Sequence, residues 1–198
     1  MGKVIVLPRH KPPQLHEKAA LMSFENCYRL EKIYKEVIGL NNVHHFSLNV
    51  VDSKGKMSIL SYNPQIAYNI FKDGTYLYNG SISPTFYEKL DFYTWDQAYD
   101  PRYYYQLKNN MELKNGIKTG VVITKNVGQI KLLFSFATKR DPQEFISDIK
   151  ENKKQYKLMG EHCFDRIHTI LESYLDERDR QQIERCKSSN ILYFPYER

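Results

Sequence analysis

The side chains able to do chemistry are present but scattered. The six histidines are His10, His16, His44, His45, His162 and His168. A metal site on a helix needs two imidazoles three or four residues apart, so that both leave one face; His162 and His168 stand six apart and fail that test. His44 and His45 open a β-rich run, where they read as ordinary polar residues of a strand rather than as ligands. Cys27, Cys163 and Cys186 are odd in number and far apart, the pattern of reduced, mostly buried thiols rather than of a disulfide framework. No His-Glu-x-x-His, Cys-x-x-Cys or phosphate-cradling glycine loop occurs. Asp91, Asp96 and Asp100 could supply acid–base carboxylates, but nothing in their spacing pairs them. No catalytic residue, metal ligand or cofactor is therefore assigned, and an enzyme is the reading the sequence supports least.

What remains is a belt of rings: Tyr76, Tyr78, Phe86, Tyr87, Phe92, Tyr93, Trp95, Tyr99, Tyr103, Tyr104 and Tyr105. Large side chains fill gaps in irregular segments. Rings around a cleft also make an apolar ligand pocket with hydroxyls at its edge. The net charge of +6 favours acidic partners, but lysines and acids are interleaved, so it speaks to solubility rather than fold. Tyrosines among lysines would also suit a single-stranded nucleic acid, a third reading. No run approaches the roughly eighteen apolar residues of a membrane span, and the N-terminal apolar stretch is too short for a secretory signal. The expectation is a cytoplasmic protein with no membrane partner.

The elements that must position these residues follow from periodicity. Residues 1–14, with Pro8, Pro12 and Pro13, read as a flexible arm. Apolar steps of three and four over 15–38 predict one or two amphipathic helices, with Ser23 as a cap between them. Runs 43–51 and 57–62, separated by Asp52-Ser53-Lys54-Gly55-Lys56, predict a hairpin. A short helix is expected over 65–71, a short strand near 92–95, and a helix from Asp100-Pro101 to Asn115. Gly116 suits the left-handed stop after it. Runs 121–124 and 130–136 predict a second hairpin turning at Asn126-Val127-Gly128. Asp141-Pro142-Gln143-Glu144 is a capping start for a long helix. Its stripe, Tyr156, Met159, Cys163, Ile167, Ile170 and Tyr174, is the candidate for part of a homodimer interface. Residues 176–198 read as a charged linker or tail with an apolar knot at 191–195. The sum is an α/β (α+β) fold, an α-β-α sandwich with a central antiparallel sheet of about five strands and helices on both faces.

Gly116-Ile117-Lys118-Thr119-Gly120-Val121, followed by a strand ending Ser135-Phe136-Ala137-Thr138, resembles the autoinducer-binding domain of LuxR-type quorum-sensing transcription regulators. Tyr93-Thr94-Trp95 is similar to an aromatic-x-Trp segment of that family, and the order of elements over residues 15–175 matches. The resemblance implies a sensor domain that binds a small apolar signal, an acyl-homoserine lactone or a different ligand, between the sheet and one helix layer. By position it implies that Tyr62 hydrogen-bonds the ligand, that Trp95 lies near its head, that Gly120 is the motif glycine and that Ser135 offers a pocket hydroxyl. Ile66 and Ile70 stand where the family carries a Trp-x-x-x-Tyr pair. Asn79-Gly80 stands where it carries an aspartate followed by proline, and a neutral acceptor holds an amide N–H less strongly than a carboxylate. The resemblance also implies a homodimer, with DNA bound only through a helix-turn-helix domain not present in this chain. The alternative is a ligand-free interaction or dimerisation module on the same fold.

Overall fold

Asp52 turns the first hairpin: its Oδ1 accepts from the backbone N–H of Lys54 at 2.9 Å and of Lys56 at 2.7 Å. The strands it joins are β2 (His45–Val51) and β3 (Lys56–Ser61). In the computed structural model, which describes residues 12–188 apart from 64, 65, 67, 70, 71 and 73, four more strands join them. These are β1 (Gln14–Leu15), β4 (Phe92–Thr94), β5 (Thr119–Val127) and β6 (Ile130–Thr138). The expected N-terminal arm up to residue 11, most of the helix over 65–71 and the knot at 191–195 fall outside the described residues.

The sheet runs β1-β3-β2-β6-β5-β4, antiparallel throughout except where β1 lies parallel to β3. It has six strands rather than about five; the extra one is two residues long and falls where an arm and a helix start were expected. The second hairpin turns later than its composition suggests. Val127 still pairs with Ile130, leaving Gly128 and Gln129 as a two-residue turn. Gly128 takes a φ of 60°, which suits the first position of such a turn.

Eight helices are described: α1 (Ala19–Glu25), α2 (Cys27–Tyr34), α3 (Pro84–Tyr87), α4 (Trp95–Ala98), α5 (Tyr104–Met111), α6 (Pro142–Glu151), α7 (Lys153–Glu172) and α8 (Glu177–Ser188). Asp141 caps α6, its Oδ1 accepting from the N–H groups of Gln143 and Glu144 at 2.9 Å each. The long helix expected from there breaks at Asn152, whose backbone leaves helical values at φ −108° and ψ 26°.

Strand alternation divides the sheet into two faces. Phe46, Leu48 and Val50 of β2, with Phe134 and Phe136 of β6, look toward α2, α6 and α7. Helix α7 comes close because it presents Gly160: a β-carbon there would sit 2.3 Å from the Phe134 ring. The stripe Tyr156, Cys163, Ile167 and Ile170 is spent on this face and buried within the chain. That corrects the expectation that it serves a dimer interface, since apolar area already covered by the sheet offers a partner nothing.

Ser23 is not a cap. It lies inside α1, fully buried, and its hydroxyl donates to Ile59 O at 2.6 Å while accepting from Ser61 N at 3.4 Å. It thereby occupies ladder groups on the edge of β3 just past the end of β1, groups that would otherwise be buried without partners.

Residues 176–188 continue from the domain as α8, held on the hairpin tips. Lys54 Nζ lies 2.9 Å from Asp176 Oδ2, Ser53 N donates to Asp179 Oδ2 at 3.2 Å, and Gln129 N donates to Gln182 Oε1 at 2.8 Å. Ile183 is buried in the same core as α7.

Candidate functional site

The other face of the sheet carries a polar row. Register sets Ser61 of β3 opposite Ser47 of β2, and Ser47 opposite Ser135 of β6. One step along the same face of β2 is Asn49; one step back is His45. Strand period two makes this row out of residues that alternate with Phe46, Leu48 and Val50. Opposite it runs the aromatic belt, folded as 3-10 turns at Thr75–Tyr78 and Gly80–Ile82 and then α3, α4 and α5.

Between them lies a cavity of about 40 Å³, lined by His45, Ser47, Asn49, Ile59, Ser61, Ile66, Asn79, Ser81, Ile82, Trp95, Met111 and Ser135. That volume holds a water or two. It is far below the roughly 300–1,000 Å³ of pockets that enclose a whole ligand.

Hydrogen bonds tie the belt to the sheet. Tyr93 Oη donates to Ser81 O at 2.9 Å, and Lys131 Nζ donates to Tyr87 O at 2.6 Å. Within the belt, Asn79 bridges to Tyr99. Tyr99 Oη donates to Glu112 Oε1 at 3.0 Å, and burial pushes the Glu112 carboxyl above its ordinary value.

Trp95 is aimed by a local cap and by a glycine. Gln97 Oε1 accepts from Thr94 N at 3.1 Å, fixing the first turn of α4. The indole then lies flat on Gly120, where a β-carbon would come within 2.2 Å of two ring carbons. Any side chain at 120 would displace the ring, so the motif glycine works by close approach. The indole Nε1 donates to Ser135 Oγ at 3.0 Å.

Among the described residues, no Asp, Glu, Lys or Arg lines the cavity. Burial alone lowers the His45 imidazole to about 4, so it is neutral at pH 7. Asn79 Oδ1 accepts from Ser81 N at 3.0 Å and Ser81 Oγ at 2.7 Å, so the oxygen expected to face a ligand amide is engaged within its own loop. Asn49 Oδ1 is buried without a hydrogen-bond partner. An oxygen held that way costs about 1–3 kcal/mol.

The structure brings Ile66, Asn79, Trp95 and Ser135 together at the cavity, with Gly120 behind Trp95. Tyr62 is not among the lining residues. It is half-buried beside the packed core, 5.3 Å from the His45 ring and 6.2 Å from the Tyr34 ring, centroid to centroid. Ile70 lies outside the described residues. Residue-type reasoning missed His45, Ser47, Asn49 and Ser61. The available signal was the regular placing of polar residues at 45, 47 and 49 between apolar ones.

A wider groove of about 470 Å³ lies between Asn41, Asn42 and α6, but it is open and lined by Glu144, Asp148 and Glu151. Among the described residues no three His, Cys, Asp or Glu side chains are placed to hold a metal ion, and no helix is long and apolar enough to cross a membrane.

The arrangement of sheet, packed helix layer and belt is similar to that of solved structures. Escherichia coli SdiA matches with a TM-score of 0.51 at 12% identity, over 87% of this chain and 79% of that one. SdiA in complex with octanoyl-rac-glycerol matches with a TM-score of 0.50 at 12% identity, over 87% and 77%. The VqsR LBD domain from Pseudomonas aeruginosa matches over 77% of this chain and 95% of that one, at 12% identity and a TM-score of 0.36. At this identity the likeness is one of fold. No protein-family profile and no curated protein matches the sequence.

Proposed function

We propose that this chain is a ligand-sensing domain that takes a small amphiphile with an uncharged polar head between the polar row of the sheet and the belt. The observation that carries this reading is the row itself: buried serines, an asparagine and a neutral histidine on a face whose neighbours are apolar. Burying polar groups is unfavourable unless something bonds them. A charged head would find no counter-charge among the described lining residues, so carboxylates and phosphates fit badly.

The match to SdiA in complex with octanoyl-rac-glycerol supports an acyl chain with a hydroxylated head as the ligand class. Acyl-homoserine lactones suit the site less well, because Asn79 is neutral and its oxygen is already engaged. The cavity of about 40 Å³ has to widen on binding, by outward movement of the belt. On this reading the domain is a cytoplasmic homodimer, it is not an enzyme, and DNA contact belongs to a helix-turn-helix domain outside these residues.

The small cavity also favours a second reading, a ligand-free interaction module on the same fold. Native mass spectrometry of the purified protein, with thermal melts against a panel of acyl-homoserine lactones and monoacylglycerols, separates the two. The sensor reading expects a co-purifying amphiphile or a melting temperature raised by several degrees. An apo mass and unchanged melting with every compound would leave the module.

A further inference from the structure

We infer that Asn49 is a specificity-determining residue whose side-chain oxygen receives a hydroxyl hydrogen from the ligand's head, so that the site selects hydroxyl-bearing amphiphiles. This rests on the sensor reading and deepens it. Asn49 is 5% exposed, lines the cavity, and its Oδ1 has no hydrogen-bond partner. A buried acceptor of this kind calls for a donor.

The neighbours narrow the donor's identity. Ser47 stands next along the same face of β2, with Ser61 and Ser135 opposite it. Serine hydroxyls both give and take hydrogen bonds. A hydroxyl on the ligand matches such a set reciprocally, since it donates to Asn49 and accepts from a serine through one atom. An amide N–H only donates.

Two other acceptors of the lining are already engaged. Ser135 Oγ already accepts from Trp95, and Asn79 Oδ1 already accepts twice from Ser81. Among the described lining residues, Asn49 Oδ1 is the fully buried acceptor without a partner. A site built to bond a hydroxyl rejects the analogue lacking it far more strongly than an apolar wall rejects a change of size.

The test compares 1-octanoylglycerol with its 2,3-di-O-methyl ether, which keeps the oxygens and loses both O–H donors. Calorimetry on wild type and Asn49→Leu, with melting curves of the unliganded proteins, reads the outcome. Wild type is expected to bind the diol about tenfold or more tighter than the ether. Asn49→Leu is expected to bind the two alike and, unliganded, to melt no lower than wild type, because an unpaired buried oxygen has been removed. Equal binding of diol and ether by wild type overturns the inference without needing the variant, and leaves the sensor reading standing. So does a preference for the diol that survives in Asn49→Leu, or an unliganded variant that melts well below wild type. Binding of neither probe by wild type overturns the inference together with the choice of ligand class.

Discussion

Leu48 and Asn49 are neighbours on β2, both buried, and they face different worlds. Leu48 looks into a layer of Phe, Ile and Met side chains drawn from α1, α2, α6, α7 and α8. Asn49 looks into a small cavity of mixed polar and apolar lining, roofed by turns and short helices, and its oxygen is unpartnered. The packed face holds Gly160 against Phe134 so closely that no methyl group could be added. Such jigsaw contact is where a chain gathers stability. The polar face has such a contact too, Gly120 against Trp95, but it also leaves a cavity and an unpartnered oxygen. On the proposed sensor reading a ligand would bond such groups, and the two sides of one sheet would divide the labour of folding and recognition.

That division can be broken by mutation. Phe134→Ala on the packed face should cost about 3–5 kcal/mol in urea unfolding, the largest effect expected of any single change here. A loss below about 1 kcal/mol would mean the helical layer is not the foundation.

Gly120→Val, on the polar side, should cost up to about 3 kcal/mol, because the indole must move but has cavity to move into. Trp95 is the sole tryptophan, so its fluorescence reports the displacement directly. Unchanged emission and unchanged melting would remove the close-approach argument.

Acid should sharpen the contrast. Folded His45 stays neutral down to about pH 4, whereas the unfolded chain takes up that proton near the ordinary value of about 6.5. The unfolded state therefore binds more protons between those values. The contribution is complete above pH 6.5 and is lost as pH falls toward 4, amounting to about 2 kcal/mol between pH 7 and 5. His45→Gln should flatten that slope in paired denaturant titrations; an identical slope in both proteins would show that His45 is not the group responsible.

Much of the architecture was legible because it is local. The hairpin over 43–62 announces itself through Asp52 and Gly55, α6 through Asp141-Pro142, and the need for a glycine at 120 through the β-rich run behind it. The site was only half legible, because its residues become neighbours through pairing at a distance. Ser47 and Ser135 meet when β2 finds β6, strands from opposite halves of the chain. Periodicity shows that each is polar on its own strand and is silent about the register that aligns them. Tyr62 shows the converse. It follows directly on a strand, but β3 ends at Ser61, so alternation no longer says which way the ring turns. Ser23 has the composition of a cap, and only the bare edge of β3 beside it explains its use.

That serine also governs how copies of this chain can meet. A sheet with an open border invites a neighbour's strand, and repeated strand addition ends in fibres. On the β3 side the border is closed twice over, by β1 and then by a hydroxyl standing in for a missing backbone. On the opposite side it ends in β4, only three residues long. Among the described residues, these are the two borders at which a neighbour's strand would have to pair.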